Sequence, residues 1–273
     1  MIAEFFTWLT TQCPQYVRAM GYLKEAIAIE ARHKRCKRAW SSHLENSKDF
    51  IIKSVKRCEN LRKVVVLGSG NLLDVPLLQL SQNFDKVVLA DIIHLPKTLR
   101  GPRKFHNVEA LSCDVTAVAG EIYSLCKNRS TKAERIVLPE PKAFFPLEAG
   151  TDLVISLNIL SQLTVMPREY ILKNNAFEDG TVFKRWEHNV LKAHLDALMS
   201  LESNVCLITD FEFTERNHRT ETVNHYYTLT GLELPVPERM WNWSIAPQGE
   251  ISGDISIERK VAAFFFPFNT KLH

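Results

Sequence analysis

The residues best suited to chemistry are the run Leu67-Gly68-Ser69-Gly70 and three later polar side chains, Asp91, Asp114 and Asn158. Each follows a short apolar run: Val64-Val65-Val66 before the glycines, Val87-Val88-Leu89-Ala90 before Asp91, Ala110-Leu111 shortly before Asp114, and Leu153-Val154-Ile155 shortly before Asn158. Runs of this kind, bounded by turn residues, read as buried strands. Gly68 and Gly70 open backbone conformations closed to residues with a Cβ and leave room for a ligand against the main chain. Asp91 follows Gly70 by 21 positions, the spacing at which a carboxylate at the tip of a second strand accepts hydrogen bonds from ribose hydroxyls. Asp114, at the tip of a third strand, is placed to accept from an adenine amino group, and the Asn158 amide to accept from an amine or orient a hydroxyl. Asn158 reads equally well as a helix N-cap.

These positions need a strand, a glycine turn and a helix in that order, the first half of a Rossmann-type unit. The spacing of Leu72, Val75 and Leu78 predicts a helix directly after Gly70. A dinucleotide fingerprint would carry a third glycine where this chain has Leu73. Asp74, expected in the first helical turn, suits the helix dipole and would repel a pyrophosphate at the same place. A cofactor without phosphates and with positive charge, such as a sulfonium bearing an amino-acid tail, meets no such objection.

On Leu67-Gly68-Ser69-Gly70, Asp91, Asp114 and the run ending in Ser156-Leu157-Asn158, the chain resembles the class I S-adenosylmethionine-dependent methyltransferases over residues 61–268. The resemblance implies an α/β fold. It consists of a Rossmann-like, mostly parallel seven-stranded sheet with an antiparallel C-terminal hairpin, preceded by a helical N-terminal cap. The division is residues 1–60 for the cap and 61–273 for the core. It implies that Leu67, Gly68, Ser69 and Gly70 pass the methionine part of S-adenosylmethionine. Asp91 and Ile92 would hold the ribose, Asp114 and Val115 the adenine, and Asn158 would face the methyl group. The implied activity is methyl transfer by in-line displacement to an unidentified acceptor. A small molecule or protein is favoured over a nucleic-acid base, because Ser156-Leu157-Asn158-Ile159-Leu160 is not an N-P-P-Y-type motif. Two alternatives stand beside it. A nicotinamide-dependent oxidoreductase shares the glycine turn and Asp91 but is disfavoured by Leu73, Asp74 and the terminal hairpin. A noncatalytic binding protein of the same fold draws on Val65, where many family members carry an acid.

At 273 residues, with 45% hydrophobic and 24% charged residues, the composition is that of an ordinary globular chain long enough for one large α/β domain with an appendage. No apolar run approaches the roughly 20 residues that span a bilayer, and the acid at Glu4 without a basic n-region argues against a secretory signal. Cys13, Cys36, Cys58, Cys113, Cys126 and Cys206 form no C-x-x-C pair, so reduced thiols and a cytoplasmic location are expected. His33 and Cys36 have no second pair to complete a metal site, and no metal is expected.

Ahead of the core, Pro14 opens a helix whose apolar face runs through Val17, Met20, Leu23, Ile27 and Ala31. A second helix is expected over about 35–57, with Trp40, Leu44, Ile51 and Val55 inward. Residues 32–63 hold eleven Lys or Arg against three acids, a balance of +8 in a chain whose net charge is +3. This stretch is either a solvated helix face or a surface for an anionic substrate or nucleic acid. Within it Arg32, Arg35, Trp40 and His43 are candidates to cover the crevice and grip a substrate.

Further along, a helix is expected over about 115–127, then a proline-punctuated insertion, a fourth strand over 152–157, and a turn at Asp179-Gly180. The helix over about 182–201 carries His194 at its core edge. A fifth strand over 204–210 gives way to polar segments containing His218 and His225. Two strands over 239–247 and 255–266 then form the terminal hairpin. Should the acceptor need deprotonation, Asp210, His218 and His225 are the titratable groups on or after strand five.

Overall fold

The computed structural model describes residues 2–131, 135–174, 176, 180–229 and 231–268. The N-terminal segment forms α1 (Ile2–Thr10), α2 (Gln15–Ala19), α3 (Tyr22–Arg35) and α4 (Lys37–Val55). The single helix expected after Pro14 is therefore two, broken at Gly21, whose φ of 98° lies in the left-handed region, where a glycine pays no steric penalty. Val17, Met20 and Leu23 are buried as the periodicity requires, while Ile27 and Ala31 are half-buried. On α4 the inward row includes Trp40, His43, Ser47, Phe50, Ile51 and Val55, with Leu44 at its edge. Polar His43 and Ser47 belong to that row, so apolar spacing alone understates it.

The sheet runs β1 (Lys63–Leu67), β2 (Lys86–Asp91), β3 (Val108–Ser112), β4 (Leu153–Leu157), β5 (Asn204–Asn217), β6 (Thr222–Tyr227), β7 (Arg239–Ala246) and β8 (Ile255–Phe266). Its order is β3-β2-β1-β4-β5-β8-β7, parallel through β5, with β8 inserted antiparallel between β5 and β7. The mostly parallel sheet and antiparallel terminal hairpin are those the resemblance implied. Among the described residues the sheet has eight strands rather than seven. β5 continues past Asp210 to Asn217, and β6 pairs with its outer half along the edge that β4 covers at the inner half. All six residues of β6 are exposed, so no buried face imprinted an alternating pattern on the sequence.

Each central strand is buried on both faces, as parallel sheets demand. Val65, Leu67, Val88, Ala90, Val154 and Leu207 face a cluster completed by α6 (Ala119–Lys127), α7 (Val165–Lys173) and α8 (Gly180–Met199). Val64, Val66, Val87, Leu89 and Ile155 face the opposite cluster, which includes Phe50, Ile51 and Val55 of α4 and Leu80 of α5 (Leu77–Asn83). Burying a Val, Leu or Ile stabilises by about 1.5 to 3 kcal/mol, so α4 is energetically one layer of the sandwich.

Three expected boundaries move. α5 starts at Leu77, because Pro76 disfavours helical backbone at Val75; Asp74 lies in the turn before it. α6 starts at Ala119 rather than 115, the intervening residues forming a turn. Gly180 opens α8, while Asp179 lies outside the described residues. α7 had no counterpart in the sequence reading. No helix among the described residues is long and apolar enough to cross a membrane.

Candidate functional site

From β1 the chain moves outward to β2 and β3, then returns to the other side of β1 as β4 and β5. The C-terminal ends of β1 and β4 therefore flank a topological switch point, where open α/β sheets bind ligands. A cavity of about 470 Å³ lies there, bordered by Gly68, Gly70, Asp91, Asp114 and Asn158. Its size is that of a small-molecule site.

The glycines differ in their reasons. Gly68 has φ +81°, and a Cβ there would stand 2.0 Å from Ile159 Cγ2 and 2.7 Å from the Leu157 carbonyl oxygen, so the close approach of β1 to β4 requires it. Gly70 has φ +46°, and a Cβ there would meet only Asp91 Oδ2 and Gly68 O, both at 3.9 Å. The space beside Gly70 belongs to the cavity. Its N–H donates to Asp91 Oδ2 at 2.8 Å, joining the turn to the tip of β2. Burial pushes the Asp91 carboxyl up, against the opposing pull of His94 and backbone N–H groups. His94, which burial pushes down, lies 3.0 Å by Nε2 from Ser69 Oγ. Ser69 and Ile92 line the cavity beside them.

Asp114 also lines it, beside Val115, but its oxygens serve α6. Oδ1 accepts from the Thr116 N–H at 2.9 Å and hydroxyl at 2.6 Å, and Oδ2 accepts from the Ala119 N–H at 2.9 Å. One lone pair of Oδ2 remains beyond these bonds. Tyr22 of α3 shares this end of the cavity; burial first and then Asp114 hold its phenol well above 10, so it keeps its proton. Asn71 fixes α3 over the turn by donating from Nδ2 to the Ala26 carbonyl at 3.0 Å.

Asn158 stands at φ 53°, a left-handed conformation that Asn accepts better than most residues. Its N–H donates to the Ile208 carbonyl at 2.8 Å, continuing the β4–β5 ladder past the strand end. Its side chain does not cap a helix: Nδ2 donates to Asp74 Oδ2 at 2.7 Å. Oδ1 is buried without a hydrogen-bond partner. Burial pushes the Asp74 carboxyl up, and the Asn158 bond opposes it.

Trp40 and His43 of α4, with Trp243 of β7, form an aromatic wall on the cavity. The His43 ring stacks on Trp243 at 4.0 Å and 6°, and Trp40 meets Trp243 edge-on at 5.2 Å. Trp40 Nε1–H donates to the Ile245 carbonyl and Trp241 Nε1–H to His43 Nδ1, each at 3.0 Å. The accepting Nδ1 assigns the His43 proton to Nε2, which lies 3.4 Å from Asn158 Nδ2. Burial pushes His43 down to about 3, so the wall is uncharged at neutral pH.

The remaining sequence candidates are dispersed. Leu67 is fully buried in the core below the turn, because strand alternation turns its side chain inward, and only its neighbours line the cavity. Arg32 reaches the cavity. Arg35 does not; its guanidinium is exposed and grips Glu250. Asp210 is buried and taken up by Arg259 Nη1 at 2.5 Å and Ser161 Oγ at 2.6 Å. His218 and His225 sit at the β5–β6 hairpin, away from the cavity lining, bonded to Ser256 and Thr214. Among the described residues no three His, Cys, Asp or Glu side chains gather as metal ligands do.

The sequence points to Asp74 only as a charge at a helix start, and not to Tyr22, His94, Trp241 or Trp243. Trp241 and Trp243 alternate with exposed Met240 and Asn242 along a strand the sequence did indicate, so their common face was readable. Nothing local marked Tyr22 or His94.

No family model matches the chain, and no curated protein matches it. Among solved structures it is similar to DhpI in complex with SAM and HEP, at 11% identity over 92% of this chain and 99% of that one, with a TM-score of 0.36. It is similar to the N-methyltransferase NodS from Bradyrhizobium japonicum WM9 in complex with S-adenosylhomocysteine, at 12% identity over 80% and 86%, TM-score 0.31. It is also similar to the Burkholderia thailandensis 1,6-didemethyltoxoflavin-N1-methyltransferase, at 8% identity over 88% and 89%, TM-score 0.33. The fold assignment rests on the strand order and register described above.

Proposed function

We propose that this chain is a methyltransferase that uses S-adenosylmethionine and methylates a small molecule. The observation that carries this is the joined unit of Gly70 and Asp91 at the switch point, with Asp74 beyond it on the same cavity. Asp91 keeps acceptor capacity for a ribose hydroxyl after its bonds to the Gly70 and Ile93 N–H groups. Ile92 and Val115 give an apolar surface for a purine, with the free Asp114 lone pair at its edge. Gly70 leaves open the space that a Cβ would fill. Asp74, beyond the turn, disfavours the phosphates of a dinucleotide, which supports a cofactor without them over NAD or NADP.

When bound, the cofactor supplies a methyl group on a positively charged sulfur. The chain's own part is to hold two partners in contact, which supplies several kcal/mol of the barrier reduction in well-oriented reactions, about 7 or more. Asn158, fixed by the β4–β5 ladder and by Asp74, stands where the acceptor must enter. Trp40, His43 and Trp243 exclude water from that end. In this reading residues 1–60 cover the site and, through α4, also complete one layer of the core that residues 61–273 form.

A small acceptor is supported over a nucleic acid because several of the basic residues of 32–63 pair with the protein's own acids. Arg35 bonds Glu250, Arg57 bonds Glu238, Arg62 bonds Asp152 and Lys63 bonds Glu148. Six unpaired cysteines support a cytoplasmic location. Calorimetric titration with S-adenosylmethionine, S-adenosylhomocysteine, NAD and NADP tests the reading. The first two bind and the nicotinamides do not; the reverse preference would sink it.

A further inference from the structure

We propose that the acceptor is a cationic amine on a flat apolar body, held with its ammonium against Asp74, which takes its proton before transfer. This rests on the methyltransferase reading and names the substrate class of the same cavity. Three independent features point to it.

The first is charge. Glu25, Asp74, Asp91, Asp114 and Glu169 line the cavity against Arg32 and Arg259, with no lysine among the described residues. Arg259 is already neutralised by Asp210, and Arg32 lies 3.8 Å from Glu250. The cavity therefore favours a cation although the chain as a whole is positive.

The second is the wall. Trp40 and Trp243 offer aromatic surface to a flat body, and a cation close to a ring face gains further. His43 adds no opposing charge, since it is neutral and its Nδ1 is occupied by Trp241. For the same reason Nε2 carries a hydrogen and is no base.

The third is the pair at the strand end. Asn158 Nδ2 fixes Asp74 Oδ2 at 2.7 Å, and Asn158 Oδ1 beside it is buried without a donor. A carboxylate to receive a proton thus adjoins an acceptor that lacks an N–H. Lys48 of α4 favours the Asp74 carboxylate and Asp91 opposes it, while burial, the largest influence, raises its proton affinity.

The chemistry balances. The ammonium gives one proton to the Asp74 carboxylate. The freed lone pair on nitrogen forms the new N–C bond as the C–S bond breaks with its electron pair on sulfur. The positive charge passes from sulfur to the methylated nitrogen.

The test is calorimetry at neutral pH, with and without saturating S-adenosylhomocysteine, using phenethylamine, 2-phenylethanol and 3-phenylpropanoate as matched cationic, neutral and anionic probes. The amine is expected to bind about tenfold or more tighter than the alcohol, as one charge-assisted hydrogen bond allows, and the propanoate more weakly still. Asp74→Asn, which keeps a side-chain oxygen for Asn158, should erase the amine preference and leave S-adenosylhomocysteine affinity unchanged. Absence of amine binding, preference for the propanoate, or an Asp74→Asn protein that keeps the preference would overturn the proposal. So would a variant that loses S-adenosylhomocysteine together with the preference, since Asp74 would then belong to the cofactor. Failure of S-adenosylhomocysteine to bind the unaltered protein would instead remove the reading beneath, and the titrations without it still report what the cavity prefers.

Discussion

The backbone N–H of Gly70 donates to Asp91 Oδ2 at 2.8 Å, so the turn after β1 and the tip of β2 behave as one unit. Removing the carboxylate withdraws both the ligand's acceptor and the turn's anchor. Asp91→Ala should weaken S-adenosylhomocysteine binding by about 1.5 to 3 kcal/mol, the range for hydrogen bonds to a charged group. Titration calorimetry of the purified variant checks this, and unchanged affinity would detach Asp91 from the ligand.

The two turn glycines should separate folding from binding. Gly68→Ala forces a methyl into Ile159 and the Leu157 carbonyl at a left-handed φ, at a cost of about 3 kcal/mol or more. Gly70→Ala meets no protein atom closer than 3.9 Å and carries only the left-handed cost, about 1 to 2 kcal/mol. Thermal denaturation should show the larger loss in Gly68→Ala. Ligand titration should show Gly70→Ala folded and about tenfold or more weaker for S-adenosylhomocysteine, the equivalent of at least 1.4 kcal/mol. Equal thermal losses would contradict the distinction.

Much of this geometry was legible beforehand because it is local. Gly68, Gly70 and Asp91 announce themselves by residue type and spacing, and fully buried strands such as Val64-Val65-Val66 need no partner to be recognised. What was not legible depends on distant segments meeting. Trp241 reaches His43 across 198 positions and Asn158 reaches Asp74 across 84, and neither pairing leaves a periodic trace. β6 was missed because both its faces meet solvent. The helix expected at Leu72 was displaced by Pro76, a signal present in the sequence but outvoted by apolar spacing. Asp114 reads from the sequence as a ligand acceptor, while the structure shows its oxygens holding the start of α6.

Acid should destabilise the fold through two buried imidazoles. His43 and His194 are pushed by burial from 6.5 to about 3, and each is 1% exposed. Their folded values lie below the unfolded one, so the unfolded chain binds more protons between about 3 and 6.5. Stability from these rings is full above 6.5 and falls as pH drops through that window, by about 1.4 kcal/mol per pH unit for each ring. Replacing one, as in His194→Gln, should lower the slope of unfolding free energy against pH by about that amount. Denaturant unfolding across the window measures it, and an unchanged slope would show that His194 titrates normally.

His218 and His225 lie on the β5–β6 hairpin outside the cavity lining. His218→Ala and His225→Ala should each change S-adenosylhomocysteine affinity by less than about 0.5 kcal/mol, as surface substitutions do. A loss of tenfold in either would bring the hairpin into the site.

The most direct measurement is a crystal structure of the complex with S-adenosylhomocysteine. The account predicts the ribose hydroxyls within hydrogen-bond distance of the Asp91 carboxylate, the adenine between Ile92 and Val115, and the sulfur directed toward Asn158. Density for the nucleoside anywhere other than above Gly68 and Gly70, or a ribose that makes no hydrogen bond to Asp91, would contradict it.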